Sequence, residues 1–404
     1  MIGEILAPAG NYEKLKTAVN FGADAVYLSG KKFGMRAFAG NFDLDEIYSA
    51  SKFCKERGVS SFLTLNIMAH NKDLEDLPTY LNEIKESDID ALIVADLGVM
   101  EIVKKHIENK EIHISTQFSA TNYKTYELLK DLGASRVVLP RELTFDEIKQ
   151  IREFTDLDLE MFVHGAMCMS YSGRCMISYH TSNRDPNKGE CSQPCRYPYK
   201  LSTNFLDDPI IAEEDERGTY FFNSKDLSLL KRIPQLMDIG INSFKIEGRM
   251  KAISYLSSVI HLYKDVRDTY KKDPKGFVYK PEWDENLSKI ANRGYTEFYF
   301  EGKTTPERSQ AVDRSKEISN YDIAGVVKEI IDRTFMVVEV KSAFHPNDEM
   351  EIVIPEKRIL TIRPPFIKDV VGRELERTKP NQIVVMRHHK SVVPGSIIRV
   401  KKNG

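Results

Sequence analysis

The chain has 404 residues and a formal net charge of −2, and 41% of its residues are hydrophobic and 29% charged. This length exceeds one small domain, and the composition is ordinary for a folded protein and argues against disorder. No apolar run reaches the roughly 18 residues of a membrane helix, and the start lacks the basic and apolar regions of a signal peptide. We therefore expect a cytoplasmic protein that has no membrane partner.

The first half of the chain alternates short apolar runs with amphipathic stretches. Eight runs have the character of buried parallel strands, and helical segments separate most of them. The runs begin at residues 4, 25, 60, 91, 112, 136, 157 and 242. This order predicts an α/β fold with a TIM-type (β/α) barrel, whose active site would lie at the carboxyl ends of the strands. No G-x-G-x-x-G motif follows the first run, which argues against a dinucleotide-binding fold.

Polar residues stand at or just beyond the ends of these runs, where a barrel holds its active site. Helix capping and loop solvation would explain any one of them equally well. The first set is Asn11, Asn66, Asp96, Gln117, Arg141, Glu142, Glu160, His164, Glu247 and Arg249. A similar set, in the long insert before the eighth run, is Asn223, Lys225 and Asp226.

From about residue 322 the apolar period changes to two, which predicts a small antiparallel β-barrel. We therefore expect a catalytic domain at residues 1–315, with a cysteine-rich insert at about 164–222, and a second domain at residues 320–404. Residues 321–404 carry 15 Lys and Arg against 11 Asp and Glu. The stretch from Lys379 to Lys402 holds six basic residues and no acidic one, which suits a solvated edge strand or an RNA-binding surface.

Four of the five cysteines lie in one segment, at Cys168, Cys175, Cys191 and Cys195. In a reducing compartment, clustered cysteines favour metal binding or catalysis over disulfides. Four thiolates suit tetrahedral zinc or an iron–sulfur cluster, but the spacings of six, fifteen and three residues match the usual pattern of neither. Iron–sulfur, zinc and redox-active thiols therefore all stay open on spacing alone. Cys54, in a predicted helix, is expected to be an ordinary buried cysteine.

A cysteine peptidase is a further interpretation of this segment, because His164 stands four residues before Cys168. A nucleophile needs a base within hydrogen-bond reach, which a third group orients. The sequence contains neither the H-E-x-x-H motif of zinc peptidases nor the G-x-S-x-G motif of many hydrolases. It also lacks the three-cysteine loop of radical S-adenosylmethionine enzymes. If the cysteines bind metal, a coordinated Cys168 cannot attack a peptide, and four cysteines could fill every iron of a four-iron cluster.

The stretch EMFVHGAMCMSYSGRCMIS, residues 160–178, resembles the signature of the collagenase-like peptidase family, peptidase family U32. The resemblance extends through EILAPAG, ISTQFSATN, NRDPNKGECSQPCRYPY, FKIEGRMK and NRGYT, and it covers most of residues 1–300. The C-terminal segment resembles the small β-barrel domain of the same family.

Within the family, the chain looks most like the bacterial tRNA hydroxylation proteins. The resemblance implies an oxygen-independent, prephenate-dependent conversion of the wobble uridine of tRNA to 5-hydroxyuridine. It implies tRNA and prephenate as partners, and some members of the family work in pairs with a paralogue. It also implies a four-iron (4Fe-4S) iron–sulfur cluster. By motif, the ligands of that cluster would be Cys168, Cys175, Cys191 and Cys195.

This reading assigns roles to other residues. Prephenate is a dicarboxylate, so its site needs Arg or Lys. The expected substrate-binding residues are Arg36, Arg141, Lys225 and Lys245, and the expected catalytic residues are His164, Glu247 and Arg249. The expected RNA-binding residues are Arg387, His388, His389 and Lys390. Two alternatives remain, which are a collagenase-like peptidase and an RNA-binding protein with a structural metal.

Overall fold

The computed structural model describes most of the chain. The described residues are 2–34, 40–168, 170–171, 174–196, 213–215, 218–220, 224–302, 306–309, 311, 319–356 and 359–402. They form two compact units. The first comprises residues 1–15, 24–250 and 292–317, and the second comprises residues 16–23, 251–291 and 318–404. The predicted domain limits of 1–315 and 320–404 stay predictions.

Eight parallel strands form a closed barrel surrounded by helices, as predicted. The strands are β1 (Glu4–Pro8), β2 (Ala25–Ser29), β3 (Ser60–Leu65), β4 (Ala91–Val94), β5 (Glu111–Ile114), β6 (Arg136–Val138), β7 (Asp158–Ala166) and β11 (Ser243–Ile246). Strand β11 closes the barrel because it pairs with both β1 and β7. Glu4 lies in register with Ser243, and Phe162 with Lys245. All eight predicted runs are therefore barrel strands.

The described part of the chain contains eleven α-helices. They are α1 (Tyr12–Asn20), α2 (Leu44–Lys55), α3 (Asn71–Ile84), α4 (Leu97–His106), α5 (Tyr123–Asp131), α6 (Phe145–Phe154), α7 (Ile177–Ser182), α8 (Ile233–Asp238), α9 (Ile253–Lys272), α10 (Pro281–Ser288) and α11 (Pro306–Ser309). Side-chain caps begin several of them, among them α2, α4, α5 and α6. A capping box formed by Thr144 and Glu147 begins α6. Short 3-10 turns lie at Thr116–Phe118, Pro186–Lys188, Pro194–Arg196, Leu230–Arg232 and Phe298–Glu301.

The long connection between β7 and β11 adds further strands. They are β8 (Glu213–Asp215), β9 (Gly218–Tyr220) and β10 (Asp226–Ser228), and β12 (Tyr295–Thr296) follows later in the chain. Strand β10 runs antiparallel to β7 beyond the barrel, and β12 pairs with β10. Within the predicted cysteine-rich insert, residues 169, 172–173, 197–212, 216–217 and 221–222 lie outside the described residues.

The second unit contains a seven-stranded antiparallel sheet, which confirms the predicted change of period. Its strands are β13 (Tyr321–Ile331), β14 (Phe335–Val340), β15 (Met350–Val353), β16 (Leu360–Ile362), β17 (Lys368–Asp369), β18 (Ile383–Arg387) and β19 (Ile397–Lys401). Their order across the sheet is β16-β15-β19-β13-β14-β18-β17. In β14 the side chains of Met336, Val338 and Val340 are buried in the core of this unit, whereas their neighbours face outward.

No helix in the described part of the chain combines the length and the apolar character needed to cross a membrane.

Candidate active site

A cavity lies at the carboxyl ends of the barrel strands, where the sequence predicted the site. Barrel strands and the loops after them contribute Tyr27, Thr64, Asn66, Ile93, Ser115, Thr116, Gln117, Val138, Arg141, Phe162, Lys245, Glu247 and Arg249. The cysteine-rich segment contributes Cys168, Tyr171, Cys175, Pro186, Asn187 and Cys191. The cavity therefore brings barrel cations and cysteine thiols to one place.

The cysteine-rich segment is anchored to the barrel through Asn187 and Lys188. The backbone N–H of Met68, after β3, donates to the Asn187 carbonyl at 3.1 Å. The Asn187 side chain in turn donates to the Cys175 carbonyl at 3.0 Å. Lys188 forms an ion pair with Asp73 in the first turn of α3, at 3.1 Å. These contacts hold the segment over the loop between β3 and α3.

The thiols differ in their surroundings. Cys168 is exposed, whereas Cys175, Cys191 and Cys195 are half-buried. The Cys191 sulfur accepts hydrogen bonds from the Gln193 backbone N–H at 3.4 Å and from the hydroxyl group of Ser178 at 3.8 Å. Cys195 does not line the cavity. Three of the four predicted ligands therefore share one space.

The donor set fits an iron–sulfur cluster in its chemistry, because thiolates are the usual cluster ligands and hydrogen bonds to sulfur tune them. The side chains do not form a ready ligand set. Within the described ranges, no three His, Cys, Asp or Glu side chains stand together in an arrangement that could hold a metal ion. Metal sites commonly form together with the fold around them, so binding would require the thiols to turn toward a common centre.

Arg141 places a guanidinium group at the cavity. Its Nη1 donates to the Ala166 carbonyl at 2.7 Å, and the group stacks over the Phe162 ring at 4.1 Å from the centroid. Its buried Nε has no hydrogen-bond partner, and no carboxylate of the described residues lies within ion-pair distance of it. Arginine binds carboxylates through paired donors, so this group can accept an anionic ligand.

Lys245 also lines the cavity, but its charge is already compensated inside the barrel. Its Nζ lies 2.6 Å from Glu160 Oε1 and 4.5 Å from the centroid of the Tyr27 ring. Burial lowers the pKa of Lys245 although Glu160 opposes this effect. Burial by itself would raise the pKa of Glu160, but the charges of Lys245 and Arg136 outweigh it and hold that pKa below its ordinary value. Lys245 therefore serves mainly as the buried ion-pair partner of Glu160.

Glu247 and Arg249 follow β11 and line the cavity together. Arg249 is buried, and its Nη2 donates to Asn41 Oδ1 at 2.5 Å. In the first turn of α1, Lys14 Nζ donates to the Arg249 carbonyl at 2.8 Å, and Gly10 in the loop after β1 lies close to the same carbonyl. A Cβ atom on Gly10 would lie 2.4 Å from that carbonyl oxygen, so only glycine allows this approach. The loop after β1 thus helps to position Arg249.

Two other predicted site residues, His164 and Lys225, do not line the cavity. His164 is 1% exposed, and its ring packs against the ring of Tyr295 at 5.4 Å between centroids. Lys225 begins the antiparallel β10 region, where its N–H donates to the Ser309 carbonyl at 2.9 Å. Arg36 lies outside the described residues, as does Asn223.

The four predicted RNA-binding residues lie in the second unit, at the end of β18 and in the loop after it. Arg387, His389 and Lys390 are exposed. His388 is engaged within the protein, because its Nδ1 lies 3.0 Å from the Arg333 carbonyl oxygen and its Nε2 lies 3.1 Å from that of Val392. Three of the four are therefore available to a ligand.

Sequence reasoning missed several residues of the cavity. Tyr27 and Phe162 stand inside barrel strands, where an aromatic residue is indistinguishable from ordinary core. Asn187 could have been identified, because it lies between Cys175 and Cys191, in the motif NRDPNKGECSQPC, which resembles the family.

Comparison with known proteins places the chain in a family. Residues 10–310 match peptidase family U32, and residues 319–399 match the peptidase family U32 C-terminal domain. The chain therefore belongs to peptidase family U32, as the sequence motifs predicted.

The curated relatives of the chain include proteins named for tRNA hydroxylation and a protein named collagenase. It is 39% identical to tRNA hydroxylation protein P1 of Bacillus subtilis, over 99% of this chain and 95% of that protein. It is 30% identical to tRNA hydroxylation protein P of Escherichia coli, over 88% of this chain and 87% of that protein. It is 33% identical to a collagenase of Porphyromonas gingivalis, over 88% of each chain.

Proposed function

We propose that this chain is an enzyme that hydroxylates a uridine of tRNA in the cytoplasm. In the full form of the proposal, the reaction converts the wobble uridine to 5-hydroxyuridine without oxygen. It uses prephenate as co-substrate and an iron–sulfur cluster held by Cys168, Cys175, Cys191 and Cys195. A paralogous family member is a further partner that the family resemblance suggests.

One observation carries this proposal. Three of the four clustered cysteines line the same cavity as Arg141, at the carboxyl ends of the strands of a closed barrel. That end of a barrel is where catalytic residues gather in this fold. The relatives named tRNA hydroxylation proteins match along almost the whole chain, so the same cavity is available to the same chemistry.

The charged residues of the cavity have separate roles in the proposed reaction. Arg141 binds a carboxylate of the co-substrate, because its guanidinium faces the cavity without an ionic partner of its own among the described residues. Arg249, held by Asn41 and by the loop after β1, supplies a second cation, which a dicarboxylate requires. Glu247 is the ionisable carboxyl group in the cavity and can accept or return a proton.

A bound iron–sulfur cluster would supply one-electron transfer at this site. The buried rings of Tyr27 and Phe162 line the cavity beside the thiols and would limit the access of water to that group. Hydrogen bonds from Gln193 and Ser178 would orient the Cys191 sulfur as a ligand.

A peptidase is the second candidate function, favoured by the relative named collagenase. Cys168 would be its nucleophile, and His164 is the nearest histidine in sequence. His164 is buried against Tyr295 and does not line the cavity with Cys168, whereas a base that activates a nucleophile has to reach the space where the nucleophile reacts. The geometry therefore favours the hydroxylase.

The experiment is a comparison of tRNA nucleosides in three strains of the source organism and in one control strain. One strain has the intact gene, one lacks it, and one carries the Cys168→Ser variant expressed at the level of the wild type. We expect 5-hydroxyuridine and its derivatives to disappear from tRNA in the deletion and in the variant. The Cys54→Ala variant is the matched control and should restore them, because Cys54 is buried in α2 away from the cavity.

Two results would contradict the proposal. Normal levels of 5-hydroxyuridine in the deletion strain would exclude the tRNA reaction. Cleavage of gelatin by purified wild-type protein, lost in Cys168→Ser, would make the peptidase the better assignment.

A further inference from the structure

A surface of aromatic and basic residues lies on the outward face of the sheet in the second unit. Phe335 in β14 and Arg387 in β18 are directly opposite each other in register. Residues paired in this way project from the same face of a sheet. Phe366 and Lys368, just before and in β17, complete the group, and we name these four residues the outer aromatic face.

The pleat of the strands directs these side chains away from the core. Met336 in β14 and Met386 in β18 are fully buried, so Phe335 and Arg387, their neighbours in sequence, point to the other side. Lys368 lies opposite Val385, which also alternates with buried residues. Phe335 is half-buried and Arg387 is exposed.

The two rings are arranged edge to face. The centroids of Phe335 and Phe366 are 6.5 Å apart, with an angle of 61° between the ring planes. Lys368 Nζ lies 5.1 Å from the centroid of Phe366. Two half-buried rings with cations beside them form a combination that suits flat, anionic ligands.

Positively charged side chains lie beside the two rings of this face. His389 and Lys390 follow Arg387 and are exposed. Glu339, a carboxylate on the same outward side of β14, is neutralised by Lys328 and Lys341, each at 2.6 Å. The loop after β18 is held in place by His388, whose two ring nitrogens contact carbonyl groups on both sides. Arg387 and Lys390 therefore lie on a segment that hydrogen bonds of His388 hold in place.

We propose that the outer aromatic face binds single-stranded RNA, with bases stacked on Phe335 and Phe366 and phosphates contacted by Arg387 and Lys368. This inference rests on the proposed function, which supplies RNA as the substrate class. The positive charge beside the rings complements phosphates and favours RNA over a protein partner. Stacking accepts any base, so the face contributes affinity and not sequence choice.

The test measures binding of the full-length chain to an unmodified tRNA transcript and to a short oligouridine, by fluorescence anisotropy at fixed salt. Phe335→Leu keeps an apolar side chain and removes the ring, whereas Phe335→Trp keeps a ring. We expect Phe335→Leu to weaken binding about tenfold and Phe335→Trp to stay within about twofold of wild type. Arg387→Gln should reduce the slope of log affinity against log salt by about one.

Val371→Ser is the matched control, because Val371 is 70% exposed in the turn after β17 but is not part of the face. It should leave RNA affinity unchanged. Thermal unfolding of every variant is measured alongside, so that a loss of fold is recognised.

Three results would overturn the inference. These are wild-type protein that binds neither RNA, equal affinity of Phe335→Leu and wild type, or a Phe335→Leu variant that changes only self-association of the chain. The last result would make the face a protein contact. If the deletion strain keeps its 5-hydroxyuridine while Phe335→Leu still weakens RNA binding, the proposed reaction fails and the RNA-binding face stands.

Discussion

Arg136 in β6 donates from Nη1 to Glu4 Oε1 in β1 at 2.7 Å, so a buried ion pair joins two barrel strands that are not neighbours. Arg136 is only 7% exposed. It also lies 3.2 Å from Asp158 and 3.3 Å from Glu160, both in β7. One guanidinium therefore compensates two buried carboxylates, Glu4 and Glu160, and the partly exposed carboxylate of Asp158. Breaking such a buried arrangement costs more than forming it gains.

Arg136→Met should destabilise the protein by about 3–5 kcal/mol, because it leaves Glu4 and Glu160 buried without their shared cation. Glu4→Gln should cost less, since Arg136 keeps Asp158 and Glu160 as partners. Urea denaturation followed by circular dichroism measures both free energies of unfolding. Equal losses in the two variants would show that the network does not centre on Arg136.

The acid stability of the protein should depend on Glu160. Its pKa in the folded protein lies below the ordinary value of 4.5, and unfolding restores that value. The unfolded state therefore binds more protons at acid pH, so this carboxylate stabilises the fold fully above pH 4.5 and loses its effect as the pH falls through the lower folded pKa. We expect the free energy of unfolding to decline below about pH 4.5.

The matched variants for this prediction are Glu160→Gln and Glu108→Gln. Glu160→Gln should be less stable at neutral pH and should show a shallower decline in acid. Glu108 is exposed, and its replacement should leave the whole profile unchanged. Urea denaturation at a series of pH values provides the comparison, and parallel acid profiles for wild type and Glu160→Gln would refute the assignment.

The five cysteines should separate by reactivity. Burial raises the pKa of the Cys54 thiol to about 12, so little thiolate exists there at neutral pH. In the metal-free protein, iodoacetamide should modify the four clustered cysteines and spare Cys54. Anaerobic reconstitution with iron and sulfide should then protect those four. Mass spectrometry of peptides measures both patterns, and unprotected thiols in reconstituted protein that contains iron would exclude them as ligands.

Arg141 should control the apparent affinity for prephenate. Arg141→Gln removes the charge-assisted hydrogen bonds to a carboxylate, which are worth enough to raise KM about 10- to 100-fold. Arg141→Lys keeps the charge without the paired donors, so its KM should lie between those of wild type and Arg141→Gln. The readout is 5-hydroxyuridine formation in vitro at varied prephenate concentration.

Lys225→Gln serves as the control for Arg141, because Lys225 does not line the cavity. Its KM for prephenate should match that of wild type. A larger effect at Lys225 than at Arg141 would reverse the assignment of the co-substrate site.

The barrel could be read from the sequence because buried parallel strands are nearly continuous apolar runs. The side chains of β1, β2 and β4 are buried along their whole length. The charges inside the barrel were not predicted. Arg136 and Glu4 stand at the first positions of their strands, where a sequence pattern cannot distinguish a buried ion pair from a solvated strand end.

The site could be predicted in outline but not residue by residue. Asn66, Gln117 and Arg141 were expected at the cavity and do line it. Asp96 has the same place in its strand–helix unit, yet its side chain accepts from the Val99 N–H and caps α4. His164 is in register both with Ile246 of the barrel strand β11 and with Ser228 of the antiparallel β10, and no periodicity in the sequence indicated β10.

Closure of the barrel by β11 has a consequence for synthesis of the chain. Strand β1 is made first, but its partner Ser243–Ile246 follows more than two hundred residues later, which at ribosomal speed is roughly 10–50 seconds. Until then, one edge of β1 and one edge of β7 stay open. The cysteine-rich segment leaves the ribosome within this interval, so its thiols are accessible before the barrel beneath them is complete.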